Sequence, residues 1–359
     1  MGMVRKLAWL LWFAACGSPA SDPVAPDGPQ SHPTPDAAIV SSTDATDVDA
    51  PVPQHDAAID AAPILDAPPG GVDWTAIAAA CGTIRSVARV SETELVLACG
   101  AHGAIHVTPA GVTTWTPTSA VLQVAVADGE LRALACNDVY RYNAGAWALE
   151  GHVGTLSSCG MGFAGGGGGW FVGTRSFGGD GGFWMRPPAT GAWVVGSDTV
   201  RGFEDFVVFS PTEYLANTIG VSTGLQHMKK TSSFWSSASD FPFGVRAMWR
   251  VPGTSTVYFA NTPGNGPGNG TGGIYHWSTG ASDTYTFEWD TPDFARINAI
   301  WGTSATDIWA AGDAGTLVHS TGNGTWTAVP SGTTADIAFL WHWDGHLVAA
   351  STTAIHLVD

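Results

Sequence analysis

Residues 296–336 read RINAIWGTSATDIWAAGDAGTLVHSTGNGTWTAVPSGTTAD. Four short runs, 297–301, 308–312, 316–320 and 325–329, combine β-branched, aromatic and small residues. Gly, Asp, Asn, Ser and Thr fill the gaps, where a chain needs positive φ or a side chain that bonds its own backbone. Four strands within about forty residues make one blade of a β-propeller.

Working outward, the unit recurs. A Trp after a polar or Gly turn marks the fourth strand at Trp326, and comparable residues stand at Trp115, Trp147, Trp193 and Trp235. One repeat is irregular there, with Tyr285 to Trp289. A third-strand marker reads His106, His227, His276, His319 and His356, with Arg141 and Met185 in similar places. Units start near Ile84, Val121, Ser157, Val200, Gly244, Arg296 and Ile337, and the last stops at Asp359 after three strands. Residues 73–77, DWTAI, resemble residues 325–329, TWTAV. We therefore expect an all-β, seven-bladed propeller of four-stranded antiparallel blades. An N-terminal strand would complete the last blade and remove its open edges. Six or eight blades are the alternatives.

The repeat resembles those of sialidase-type and photosystem-assembly-factor-like propellers. The residues that carry this likeness are Ser320-Thr321-Gly322-Asn323-Gly324-Thr325-Trp326, similar to a Ser-x-Asp-x-Gly-x-Thr-Trp box. The stretch lacks the Asp and is one residue short. In those families the box is a structural turn, so the resemblance implies fold and not catalysis.

The N-terminus gives an address. Arg5 and Lys6 precede an apolar run, Leu7 to Ala15, too short to span a bilayer. The run ends Phe13-Ala14-Ala15-Cys16, which resembles a bacterial lipobox, although Phe13 stands where Leu is usual. The resemblance implies cleavage after residue 15 and lipidation of Cys16. Gly17 rather than Asp at the next position implies sorting to the outer membrane or cell surface, with a periplasm-facing domain as the alternative. Residues 17–71 contain nine Asp, no Lys or Arg, and no Trp, Phe or Tyr. Such a stretch cannot bury enough apolar area to offset its ordering entropy. The expected division is a signal peptide at 1–15, a lipidated Cys and disordered tether at 16–71, and the propeller at 72–359. The formal charge of −17 repels nucleic acid and bare anionic membrane, so neither is an expected partner. A monomer held to a membrane through its lipid alone is expected.

Four Cys remain after Cys16, and an exported protein permits disulfides. In a propeller the start of a first strand and the end of a second lie on one face, which pairs Cys81 with Cys99 and Cys136 with Cys159 out of three possible arrangements. The ligand-binding candidates are Arg85, Arg201 and Arg246, with Asn298 in the same register. Placed second in their inner strands, they would gather at the mouth of the channel, where guanidinium groups clamp carboxylate or phosphate. The third-strand His residues lie on different spokes and do not converge on one ion. No metal or other cofactor is expected. His342 and His346 flank the Trp343-Asp344-Gly345 turn, but two ligands define no site. Phosphate-loop and His-Glu-x-x-His patterns are absent. The expected function is non-enzymatic binding of a protein or glycan at the loop face. The alternatives are a glycan-acting hydrolase or lyase, drawing on loop acids Asp180, Asp198, Asp240, Asp290 and Asp293, and a structural surface component.

Overall fold

The computed structural model describes residues 71–153, 159–174, 183–188, 191–196, 201–220, 224–231, 234–241, 244–261, 272–280, 285–291 and 295–358. The expected signal peptide, Cys16 and the tether to residue 70 lie outside the described residues. The described chain forms seven antiparallel sheets, each built from consecutive strands in sequence order. These are blade one (86–115), two (121–152), three (160–195), four (201–241), five (245–290), six (297–328) and seven (339–358). Six sheets have four strands and blade seven has three.

The innermost strands touch in order around a closed ring, including the first strand of blade one against the first of blade seven. Each gap between blades holds its own buried apolar cluster, seven in all. Between blades five and six, for example, Tyr258 and Ala260 meet Ile297, Ile308 and Trp326. A sheet apolar on both faces suits this stacking, which explains second strands such as Leu95-Val96-Leu97-Ala98, buried at every position.

Four of the joints share a backbone staple. A residue at or just before the start of the inner strand donates its N–H to the loop that leaves the previous blade's second strand. The pairs are Val121 N to Gly100 O at 2.9 Å, Gly160 N to Cys136 O at 3.1 Å, and Ile337 N to Gly312 O at 2.9 Å. Ile84 N to Thr352 O, at 2.7 Å, is the same contact and joins blade seven to blade one.

The segment expected to add a fourth strand to blade seven is instead helix α1, Trp74–Cys81. Its sequence, WTAIAAAC, differs from TWTAV in its Ala content. Ala is the strongest helix former, whereas Thr and Val favour strands. Asp73 caps the helix by accepting from Ala76 N at 2.9 Å, and Gly82 ends it at positive φ. The docking place matches the expectation while the conformation does not. Trp74 lies edge-on to Trp341 and Trp343, with ring centres 6.1 and 5.2 Å away. The helix shares one buried cluster with Leu95, Ile105 and Val107 of blade one and Val348 and Ile355 of blade seven.

Both expected disulfides are formed. Cys81–Cys99 ties the end of α1 to blade one, and Cys136–Cys159 ties blade two to the start of blade three. The box-like turn is structural. Asn323 Oδ1 accepts from Thr325 N at 2.9 Å, and Gly322 sits at positive φ where a Cβ would stand 1.9 Å from Ala305 O.

Candidate functional site

The channel mouth on the face of the staples is built from a repeated irregularity. Near its start each inner strand has an extra residue opposite its second strand. Register breaks place Leu122, Met161, Glu204, Arg246 and Asn298 at this bulge. Arg85 and Ala338 occupy the equivalent positions. Their N–H groups bond Ala98 O and Ala350 O, the carbonyls of the residues paired with Ser86 and Phe339.

This register corrects one expected site residue. Arg201 does not share the position of Arg85 and Arg246; Glu204 does. The inner strand of blade four runs from Arg201 to Ser210, and the pairs Arg201–Gly220 and Gly202–Ile219 extend it before the bulge. A signal for this was present in the sequence. Buried residues three apart bracket each bulge, as in Val121/Val124 and Ile297/Ile300, and the matching pair in blade four is Phe203/Phe206. The three-arginine clamp is therefore a mixed set of two exposed cations, Arg85 and Arg246, one acid, Glu204, and one amide, Asn298.

Arg246 and Asn298 are brought together. Arg246 Nε donates to Asn298 Oδ1 at 3.1 Å, and Asn298 Nδ2 donates to Asp313 Oδ1 at 2.9 Å and to Ile337 O at 3.3 Å. The chain of bonds spans blades five, six and seven. On the other side of Arg246, buried Asn217 clasps the backbone of Val245, its Nδ2 donating to Val245 O at 2.8 Å and its Oδ1 accepting Val245 N at 3.3 Å. Beside Glu204, half-buried Asp205 has its pKa pushed up to about 6. Burial is the main cause and the Glu204 charge adds to it, against the Phe206 N–H that its carboxylate accepts at 2.8 Å.

The third-strand markers fall on one register at His106, Arg141, Met185, His227, His276 and His319. His356 is shifted by one, and Leu357 stands in its place opposite Val348. In four blades the acid opening the second strand holds the marker. The bonds are His106–Glu94 and His227–Glu213 at 2.8 Å, His319–Asp307 at 3.0 Å and Arg141–Glu130 at 2.6 Å. His342 lies tilted against Trp301, ring centres 4.8 Å apart, and burial lowers its pKa. No cluster of metal-ligating side chains occurs among the described residues. Of the loop acids, Asp290 is exposed at the end of blade five and Asp240 pairs through its backbone with Gln226. Asp180, Asp198 and Asp293 lie outside the described residues.

No protein-family model and no curated protein matches the chain. Among solved structures, YCF48 bound to a D1 peptide matches with a TM-score of 0.57 at 13 % identity, covering 77 % of this chain and 93 % of that one. The fold is a seven-bladed propeller similar to that of YCF48. YCF48 from Cyanidioschyzon merolae matches equally, at 12 % identity. PorZ, a surface component of the type-IX secretion system of Porphyromonas gingivalis, matches at 12 % identity with a TM-score of 0.58, over 77 % of this chain and 46 % of its own. The extracellular domain of the putative hybrid two component system BT4673 from B. thetaiotaomicron matches at 11 % identity with a TM-score of 0.57, over 77 % of this chain and 38 % of its own. The YCF48-like ring defines the architecture; at these identities the mouth chemistry is read from this chain's own residues.

Proposed function

We propose that this protein is an exported, lipid-anchored binding module that engages a polypeptide partner at the channel mouth. The observation that supports the reading is the bulge register, which Arg85, Glu204, Arg246 and Asn298 share on the inner strands of blades one, four, five and six. A mixed set of cations, acid and amide matches the alternating charges, donors and acceptors of a polypeptide. YCF48, the fold neighbour bound to a peptide, and PorZ, a surface component, support a binding role. The two disulfides suit an exported protein. Crosslinking in cells of the native source, followed by mass spectrometry, tests the partner. Arg85→Glu with Arg246→Glu is expected to abolish a specific crosslinked polypeptide while leaving the melting temperature unchanged. An unaltered crosslink pattern rejects the mouth as the site.

The anchor is tested separately. A clickable fatty acid is expected to label the protein, and Cys16→Ala is expected to remove the label. A second reading, a glycan-acting hydrolase, draws on Asp205 beside Glu204, since a carboxylic acid that keeps its proton to about pH 6 is a fit general acid. Release of reducing sugar from surface glycans, lost in Asp205→Asn, is the result that favours it.

A further inference from the structure

Blade five breaks the acid-and-marker pattern of its neighbours. At the place of Glu94, Glu213 and Asp307 it has Thr256, which pairs with Ser278. Its marker, His276, turns instead to Glu288 on the fourth strand, with Nδ1 2.6 Å from Glu288 Oε1. Glu288 is 3 % exposed. It also accepts from Trp326 Nε1 of blade six at 2.9 Å and from the Tyr258 hydroxyl, which holds the Tyr258 pKa up at about 12 together with burial, the larger cause. Where blades one, two, four and six carry an acid side chain, a cleft of about 230 Å³ opens between blades five and six. Thr254, Thr256, Tyr258, His276, Ser278 and Glu288 line it from blade five, facing Ala305 and Gly322 of blade six.

The chemistry of the lining selects a ligand class. With Nδ1 held by a buried carboxylate, the half-buried His276 ring presents Nε2, which has no partner among the described residues. The Thr256 and Ser278 hydroxyls bond each other at 2.7 Å beside it. With Nδ1–H donating to Glu288, Nε2 of the neutral ring accepts, while the two hydroxyls both accept and donate, and the group that matches this set is another hydroxyl. The Glu288 charge opposes an anion, as does the formal charge of −17. Its three donors leave little for a cation. No hydrogen bond joins Ser278 to His276, so the Ser–His–Glu series lacks the contact of a nucleophilic relay. The volume falls below the range of about 300–1,000 Å³ for drug-sized ligands, which suits a single ring. From these features we infer that the cleft between blades five and six binds one neutral, hydroxyl-rich ring, a sugar residue, and binds it without cleaving it.

Saturation-transfer NMR of the purified protein with glucose, galactose, mannose, fucose and N-acetylglucosamine at millimolar concentration tests this. Transfer to at least one sugar is expected. Thr256→Glu, which restores the carboxylate found in blades one, four and six, is expected to weaken it at least about tenfold. Ala305→Phe blocks the cleft from the blade-six side and is expected to act alike if Thr256→Glu fails to fold. Arg246→Glu, at the mouth, is expected to leave sugar binding unchanged, which separates this site from the polypeptide reading. The inference is overturned by no transfer from any of the five sugars, by transfer that persists in both blocking variants, or by preferential binding of acetate or phosphate.

Discussion

The joint between blades seven and one differs instructively from the joint between blades four and five. At the latter, covalent chain runs from one blade into the next, and Asn217 clasping Val245 adds a polar clip. At the former, the strands meeting in the ring come from opposite ends of the propeller. The joint uses the common backbone staple, Ile84 N to Thr352 O, and a second bond from Asp344 N to Glu92 O at 3.0 Å. It then adds a helix, a cluster of three Trp rings and a disulfide. Where the backbone does not enforce proximity, burial does so, with the disulfide fixing α1 to blade one so that the helix can pack against blade seven, because the loop-closure entropy of a whole ring must be offset there.

Four measurements break or sharpen this contrast. Trp74→Ala removes the largest side chain holding α1 in the seam and is expected to cost about 3–5 kcal/mol in chemical denaturation. A loss below about 1 kcal/mol would show the seam to be no more demanding than an ordinary joint. Cys81→Ser with Cys99→Ser is expected to cost about 3 kcal/mol. Cys136→Ser with Cys159→Ser opens a loop of similar size, 23 residues against 18. It is therefore expected to cost a similar amount, but only the seam pair is expected to raise hydrogen exchange in blades one and seven together.

Asp205 tests the blade-four side. Its folded pKa, about 6, stands above the ordinary value of 3.8. The folded state therefore favours the protonated acid, and that stability is full below about pH 4 and lost as pH rises through about 6. Asp205→Asn is expected to match the wild type near pH 4 and to exceed it by about 3 kcal/mol at pH 7.5. Equal stability at both pH values would refute the assignment. Finally, Asp73→Ala removes the α1 cap and is expected to cost about 1 kcal/mol, read as a small fall in melting temperature.

The repeat was legible because turns and alternating apolar strands recur with it, and the reference unit at 296–336 carries both in full. The Cys pairing followed from which strand ends share a face. Two things were not legible by matching letters. The likeness of DWTAI to TWTAV hid a difference of conformation, since the Ala residues that follow Ile77 and the Asp73 cap favour a helix. Arg201 matched its supposed equivalents as a residue type, while the bulge register follows buried pairs such as Phe203 and Phe206, so Glu204 took the place. Within blade four the shared register therefore passes from Arg201 to Glu204. The cleft in blade five was hidden for another reason: it arises from a carboxylate moved from the second strand to the fourth, visible only once Glu94, Glu213 and Asp307 are seen holding His residues.

The staples between blades carry a consequence for divergence. They are made from main-chain N–H and C=O groups, apart from the Asn217 clip, so most of them do not depend on which side chain stands at the joint. Substitution can then accumulate in every blade, provided volume and apolar character in the seven gaps are kept, while the ring stays shut. That tolerance accounts for propellers that share barely one residue in eight with this chain and still superimpose along 77 % of it.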